Sequence, residues 1–273
     1  MHDLLSVHNV TFFGSSPTEL QRNWSQLGVR RLSILDTDLT NPAFVEMLGT
    51  EDFQVQAVCH PFGSGRIPGD PAAVDAARTE LFRLIDAAAA TGARCIYMLT
   101  GGRGEFTWEQ AAERFAYTVE PCVQAARANG VALAIENASA LYADLHIAHS
   151  LRDTITLAEL ADVGICIDLF HCWAEADLPG LLGAALPRTE LIQLSDYVLS
   201  DRALPARAVP GDGAIPIEPF VAQALAGGYR HGFDLELIGP RIEAEGALAA
   251  AQRAGDTVAA MLERLIGEHH GPR

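Results

Sequence analysis

Residues 130–171 read GVALAIENASALYADLHIAHSLRDTITLAELADVGICIDLFH, and this stretch decides the fold. It holds two short apolar runs, 132–136 and 164–168, separated by a longer stretch, 148–160, that reads as a helix. The runs are almost unbroken in apolar residues, as strands are when other layers cover both faces of their sheet. Strand, helix, strand in that order is a parallel βαβ unit.

The same unit recurs on both sides. Candidate strands are 6–13, 31–35, 54–59, 94–99, 132–136, 164–168, 191–195 and 232–237. Candidate helices are 17–27, 42–48, 71–91, 107–129, 148–160, 178–185, 217–226 and 242–266. Pro17, Pro42 and Pro71 stand near helix starts, where a missing N–H costs little. Gly28, Gly92 and Gly130 follow last helical turns, where a left-handed residue caps the carbonyls. Eight repeats without a second compositional block predict one (β/α)8 barrel domain, α/β in class, over residues 1–273. An open dinucleotide-binding sheet is disfavoured, because the first βα turn, Phe13-Gly14-Ser15-Ser16, is no Gly-x-Gly-x-x-Gly fingerprint. Thr100-Gly101-Gly102-Arg103-Gly104 lacks the Lys-Ser/Thr pair of a phosphate loop and is expected to form a flexible loop at the barrel mouth.

Nineteen Lys and Arg against 35 Asp and Glu give a net charge of −16. So acidic a chain, with no local basic patch, repels phosphate backbones and argues against nucleic-acid binding. No run of 18 apolar residues predicts a membrane span. The first residues lack a secretory pattern, so the default expectation is cytoplasmic. Cys59, Cys95, Cys122, Cys166 and Cys172 are scattered, without a CxxC pair, and are expected to be reduced thiols. The Ala-rich stretch 242–266 suits packing or homo-oligomerisation equally. Glu268-His269-His270 is expected to be a solvated tail.

In a barrel of this kind, chemistry sits at the C-terminal ends of the strands. The fifth candidate strand ends in Glu136-Asn137, the sixth in Asp168, the seventh carries Gln193, and the eighth Glu236. Glu136, Asp168, Gln193 and Glu236 therefore converge on one point. Three carboxylates together in a low-dielectric mouth repel one another, and a divalent cation relieves the repulsion. An oxygen-rich donor set favours Mn²⁺, Mg²⁺ or Co²⁺ over structural zinc.

At these residues the sequence resembles the xylose isomerase-like barrel superfamily of sugar-phosphate isomerases and epimerases. The matching pieces are Ala134-Ile135-Glu136-Asn137, Ile167-Asp168-Leu169-Phe170-His171, Ile192-Gln193-Leu194-Ser195-Asp196, Arg207-Ala208-Val209-Pro210-Gly211-Asp212-Gly213 and Leu235-Glu236. They lie in the C-terminal half in the family's order, while the N-terminal half matches by rhythm. The resemblance implies one divalent ion, Mn²⁺ ahead of Mg²⁺, Co²⁺ or Zn²⁺, held by Glu136, Asp168, the seventh-strand residue and Glu236. Most relatives carry His at that seventh-strand position; here it is Gln193, as in hydroxypyruvate isomerase-like members. It also implies that His171 and Arg207 contact a sugar-like substrate. His60, at the end of the third strand, is expected to line the same pocket, with His8 and Asn9 as weaker candidates.

These residues suit proton abstraction beside a carbonyl. The metal stabilises an enediolate, and Glu136 and Glu236 remove and return the proton. Isomerisation and epimerisation differ in where that proton lands. A lyase expelling a β-substituent from the same enediolate is the nearest rival, and a non-catalytic ligand-binding barrel another. Abasic-site DNA repair on this barrel uses a His-rich zinc cluster that the sequence lacks.

Overall fold

The computed structural model describes residues 1–269, so His270 lies outside the described residues, as do the side chains of Glu268 and His269. The chain runs through β1 (Leu5–His8), β2 (Arg31–Leu35), β3 (Gln54–Pro61), β4 (Cys95–Leu99), β5 (Ala132–Glu136), β6 (Gly164–Asp168) and β7 (Thr189–Leu194). It then makes a two-stranded antiparallel ribbon, β8 (Asp196–Tyr197) with β9 (Arg207–Ala208), before β10 (Phe233–Leu235). The first seven strands and β10 form a closed parallel barrel, sealed where Ser6 of β1 pairs with Asp234 of β10. This is a single (β/α)8 barrel.

Helices fill the connections: α1 (Pro17–Leu27), α2 (Pro42–Thr50), α3 (Pro71–Ala90), α4 (Trp108–Ala128), α5 (Leu151–Ala161), α6 (Leu169–Cys172), α7 (Leu178–Ala185), α8 (Ile217–Ala226), α9 (Pro240–Glu245) and α10 (Ala247–His269). Their starts follow local chemistry. Ser16, Asn41 and Asp70 accept hydrogen bonds from first-turn amides, and a proline follows each. Thr107 and Gln110 cap α4 reciprocally.

Several boundaries differ from expectation, three of them for a clear local reason. β1 stops at His8, because the His8 side chain accepts the Val10 amide and turns the chain into one 3-10 turn, leaving Phe13 77% exposed. α5 starts at Leu151, where the Ser150 hydroxyl accepts the Asp153 amide. The stretch 242–266 is not one helix: Gly246, at φ 91°, separates α9 from α10.

Alternation along the strands sorts the core into two layers. Ala57, Cys95, Tyr97, Ala134, Cys166 and Leu191 pack together inside the barrel. Their neighbours Val58, Ile96, Leu133, Ile135, Ile165, Ile167 and Ile192 join the helices in the larger outer core. The unbroken apolar runs are thus two one-sided patterns interleaved. Alanine and cysteine side chains alternate with Tyr97 and Leu191 in the lumen, and its upper part is left to polar side chains. All five cysteines are free, four of them buried. No helix among the described residues is long and apolar enough to cross a membrane.

Candidate functional site

Glu136 ends β5 and Asp168 ends β6, both on the lumen side. Gln193 of β7 is in register with Asp168 on one side and Asp234 of β10 on the other, and Glu236 follows two residues above Asp234. Glu136 is 6% exposed; Asp168 and Gln193 are fully buried. The α6 turn carries His171 back to 3.4 Å (Nε2) from Asp168 Oδ2. Donor atoms of Glu136, Asp168 and His171 lie within 4.8 Å of one another.

Arg207 enters from the ribbon. Its Nη2 donates to Asp168 Oδ2 at 2.6 Å and Glu236 Oε1 at 3.1 Å, and its Nη1 donates to Ser195 Oγ at 3.0 Å. The guanidinium stacks 4.7 Å from the centre of the Phe170 ring and is almost fully buried. Arg207 is therefore a member of the charge cluster itself. Asp196 explains how it is delivered. Its Oδ1 accepts the Tyr197 and Ile215 amides, and its Oδ2 accepts those of Gly211 and Gly213, at 2.8–3.0 Å. The backbone approaches so closely that a Cβ on Gly213 would lie 2.3 Å from the Tyr197 carbonyl oxygen. Asp196→Ala orphans four amides around residues 197–215, and urea titration should read a loss of about 3–4 kcal/mol. A loss below about 1 kcal/mol would show that the loop holds itself.

Charge in this space is unevenly balanced. Burial, then the charges of Glu236 and Asp168, push the Glu136 carboxyl well above its ordinary value. Burial lifts Glu236 to about 7 against the pull of Arg207. Burial works the same way on Asp168, but Arg207 and His171 outweigh it and hold this carboxyl below its usual value. Burial drives His171 down to about 4, which leaves a neutral imidazole. Arg207 thus pairs with both Asp168 and Glu236 but brings one positive charge to two carboxylates, while the Glu136 carboxyl accepts no hydrogen bond among the described residues. A buried, unpaired carboxylate beside a second carboxylate and a neutral imidazole fits a divalent cation.

The expected donors divide on contact. Gln193 donates through Nε2 to Glu236 Oε2 and Tyr97, and its Oε1 accepts the Cys166 thiol at 3.2 Å. In this orientation the amide meets Glu236 as a donor; turning its oxygen toward the carboxylates needs a cation between them. His171, expected as a substrate contact, stands where a nitrogen ligand would.

His60 does not join the cluster. Cys59 points into the lumen, so its neighbour His60 lies on the other face of β3, bonded to Asp36 at 2.6 Å and set against Phe62. His8 is a satisfied interior residue, its Nε2 2.8 Å from the Tyr97 hydroxyl, and Asn9 bonds Asp38. The Gly101-Gly102 segment is neither a phosphate cradle nor a loose loop. Its amides donate to Leu145 and Gly65 carbonyls, and a Cβ on Gly102 would lie 2.2 Å from the Asp144 oxygen.

Comparison with known proteins agrees with this architecture. The chain is similar to protein SMc04130 from Sinorhizobium meliloti 1021 (TM-score 0.80, 21% identity, 96% of this chain and 98% of that one). It is also similar to the IolI protein with a bound zinc atom (0.78, 17%, 96% and 98%) and to an L-ribulose 3-epimerase (0.77, 16%, 98% and 99%). Other solved neighbours include further epimerases and a probable dehydratase. At such identities these likenesses speak for the fold alone. No curated protein matches the chain. The model of the xylose isomerase-like TIM barrel family matches residues 10–261, most of the chain, and the protein belongs to that family.

Proposed function

We propose that the protein is a divalent-metal-dependent isomerase or epimerase acting on a sugar or other α-hydroxy carbonyl compound. The observation that carries this reading is the Glu136 carboxylate, buried and without a hydrogen-bond donor, within 4.8 Å of donor atoms on Asp168 and His171. Glu136, Asp168 and His171 would hold the ion, with Glu236 and a turned Gln193 completing its surroundings. When bound, the ion supplies Lewis acidity that draws negative charge onto the substrate's oxygens.

The chain's own residues do the rest. One of Glu136 and Glu236 takes the proton from the carbon beside the carbonyl, leaving the electron pair in an enediolate. The other, or the same one, returns a proton to the same or the neighbouring carbon. With an ion present to balance Asp168 and Glu236, Arg207 would be available to bond a substrate oxygen. A lyase acting on the same enediolate is the second reading, favoured by the probable dehydratase among the neighbours; a product lighter than its substrate by one water would select it.

The first test is metal content by mass spectrometry on untagged protein, wild type beside Glu136→Ala. Because the Glu136 side chain holds no hydrogen-bond partner, this variant should fold unharmed. About one Mn²⁺, Co²⁺, Mg²⁺ or Zn²⁺ per chain is expected in the wild type and none in the variant. A wild type that stays empty after reconstitution with each ion ends the metal-dependent reading.

A further inference from the structure

The end of β5 is paired to its neighbours through side chains instead of backbone. Along β4 and β5 the ladder is regular up to Met98 opposite Ile135, with Ala132 N–H donating to the Arg94 carbonyl. The parallel pattern places the next rung between Thr100 N–H and the Glu136 carbonyl. That rung is replaced by the His146 imidazole. Thr100 N–H donates to Nδ1 at 2.8 Å, and Nε2 donates to the Glu136 carbonyl at 2.6 Å. The Thr100 hydroxyl, 2.9 Å from Nδ1, also accepts the Ile147 amide and so ties the ring to its own loop.

On the other side of β5 the same thing happens with an amide. The β5–β6 register runs to Glu136 opposite Cys166. Beyond it, Asn137 Oδ1 accepts the Asp168 amide at 2.9 Å and Asn137 Nδ2 donates to the Asp168 carbonyl at 2.8 Å. The backbone is already leaving, since the Ala138 amide donates to Ala148. Thr100, Asn137 and His146 are all buried, so no water competes for these bonds.

We propose that His146 and Asn137 are positioning residues that hold the mouth open at β5 and set Glu136 and Asp168 at the separation a divalent ion needs. This rests on the reading of those two carboxylates as ligands. An inserted imidazole keeps the end of β5 further from β4 than a direct N–H···O bond would. An inserted carboxamide fixes the Asp168 main chain without drawing the strands together. Glu136, which has no side-chain bond of its own, is thereby located through its backbone.

The test is calorimetric titration with Mn²⁺ of wild type, Asn137→Ala, His146→Ala and His146→Gln, beside the melting temperature of each metal-free protein. Both alanine variants should bind Mn²⁺ tenfold or more weakly, in the range found when groups that orient a ligand are lost. His146→Gln, whose carboxamide can accept from Thr100 and donate to Glu136, should recover much of that loss. A purely structural role would lower the melting temperature and leave the Mn²⁺ affinity alone, and that result overturns the proposal. Should the alanine forms not fold, Asn137→Asp keeps the acceptor and loses the donor; a tenfold weaker affinity supports the proposal and an unchanged one overturns it. A wild type that takes none of Mn²⁺, Co²⁺, Mg²⁺ and Zn²⁺ overturns the metal-dependent function together with this inference, whereas binding unaffected by the variants overturns this inference alone.

Discussion

Glu136→Gln loses roughly 10²–10⁴-fold in turnover of an α-hydroxy carbonyl substrate, the range that one positioned proton-transfer group contributes. The substitution keeps size and one oxygen able to face a cation, but a carboxamide cannot accept the proton. Few carboxylates offer so clean a test, because Glu136 supports no hydrogen bond whose loss would disturb its surroundings. The measurement is deuterium uptake from D2O by mass spectrometry, across a panel of free ketopentoses and ketohexoses with Mn²⁺-loaded enzyme. Glu236→Gln should lose a similar factor. If one residue removes the proton and the other returns it, the variant that still exchanges label but forms no product has lost the returning group. Full rates in both variants would refute acid–base chemistry by these carboxylates.

The second large effect concerns Arg207. Arg207→Met leaves Asp168 and Glu236 without their buried counter-charge, and removing one partner of such a cluster costs about 3–5 kcal/mol. Metal-free Arg207→Met should therefore unfold at distinctly lower urea than the wild type. The sign reverses for metal. On the proposed function the guanidinium and a divalent ion would compete for the same carboxylate oxygens, so the variant should bind Mn²⁺ more tightly and regain stability as Mn²⁺ is added. Its activity should still fall, since the group freed to bond the substrate is gone. If metal-free stability were unchanged, the ion pairs to Asp168 and Glu236 would carry none of the balance assigned to them. A Mn²⁺ affinity that fell with the substitution would make Arg207 a support for the ion rather than its rival.

These expectations rest on residues that were unequally legible. Alternating strand and helix punctuation prescribed the barrel, because each βα unit states its own periodicity within about 30 residues. Glu136, Asp168 and Glu236 stood out for the same local reason: a charged residue at the end of an apolar strand has a known place in a closed barrel. His60 shows where this fails. Val55 to Cys59 are apolar at all but one position, so nothing local says which alternate faces inward; Cys59 does, and His60 lies behind it.

Sequence alone determined the eight barrel strands, their order and the carboxylates at the mouth, since these depend on neighbours along the chain; it missed the β8–β9 ribbon. Only the tertiary structure decided what surrounds those carboxylates. Arg207 reaches Asp168 across 39 residues, Asp196 collects amides up to 19 residues away, and the His146 ring fills a rung between strands β4 and β5. Such contacts follow no period. They exist because barrel closure brings loop residues into a space too dry to leave a donor, an acceptor or a charge unanswered, and that demand cannot be read until the space has formed.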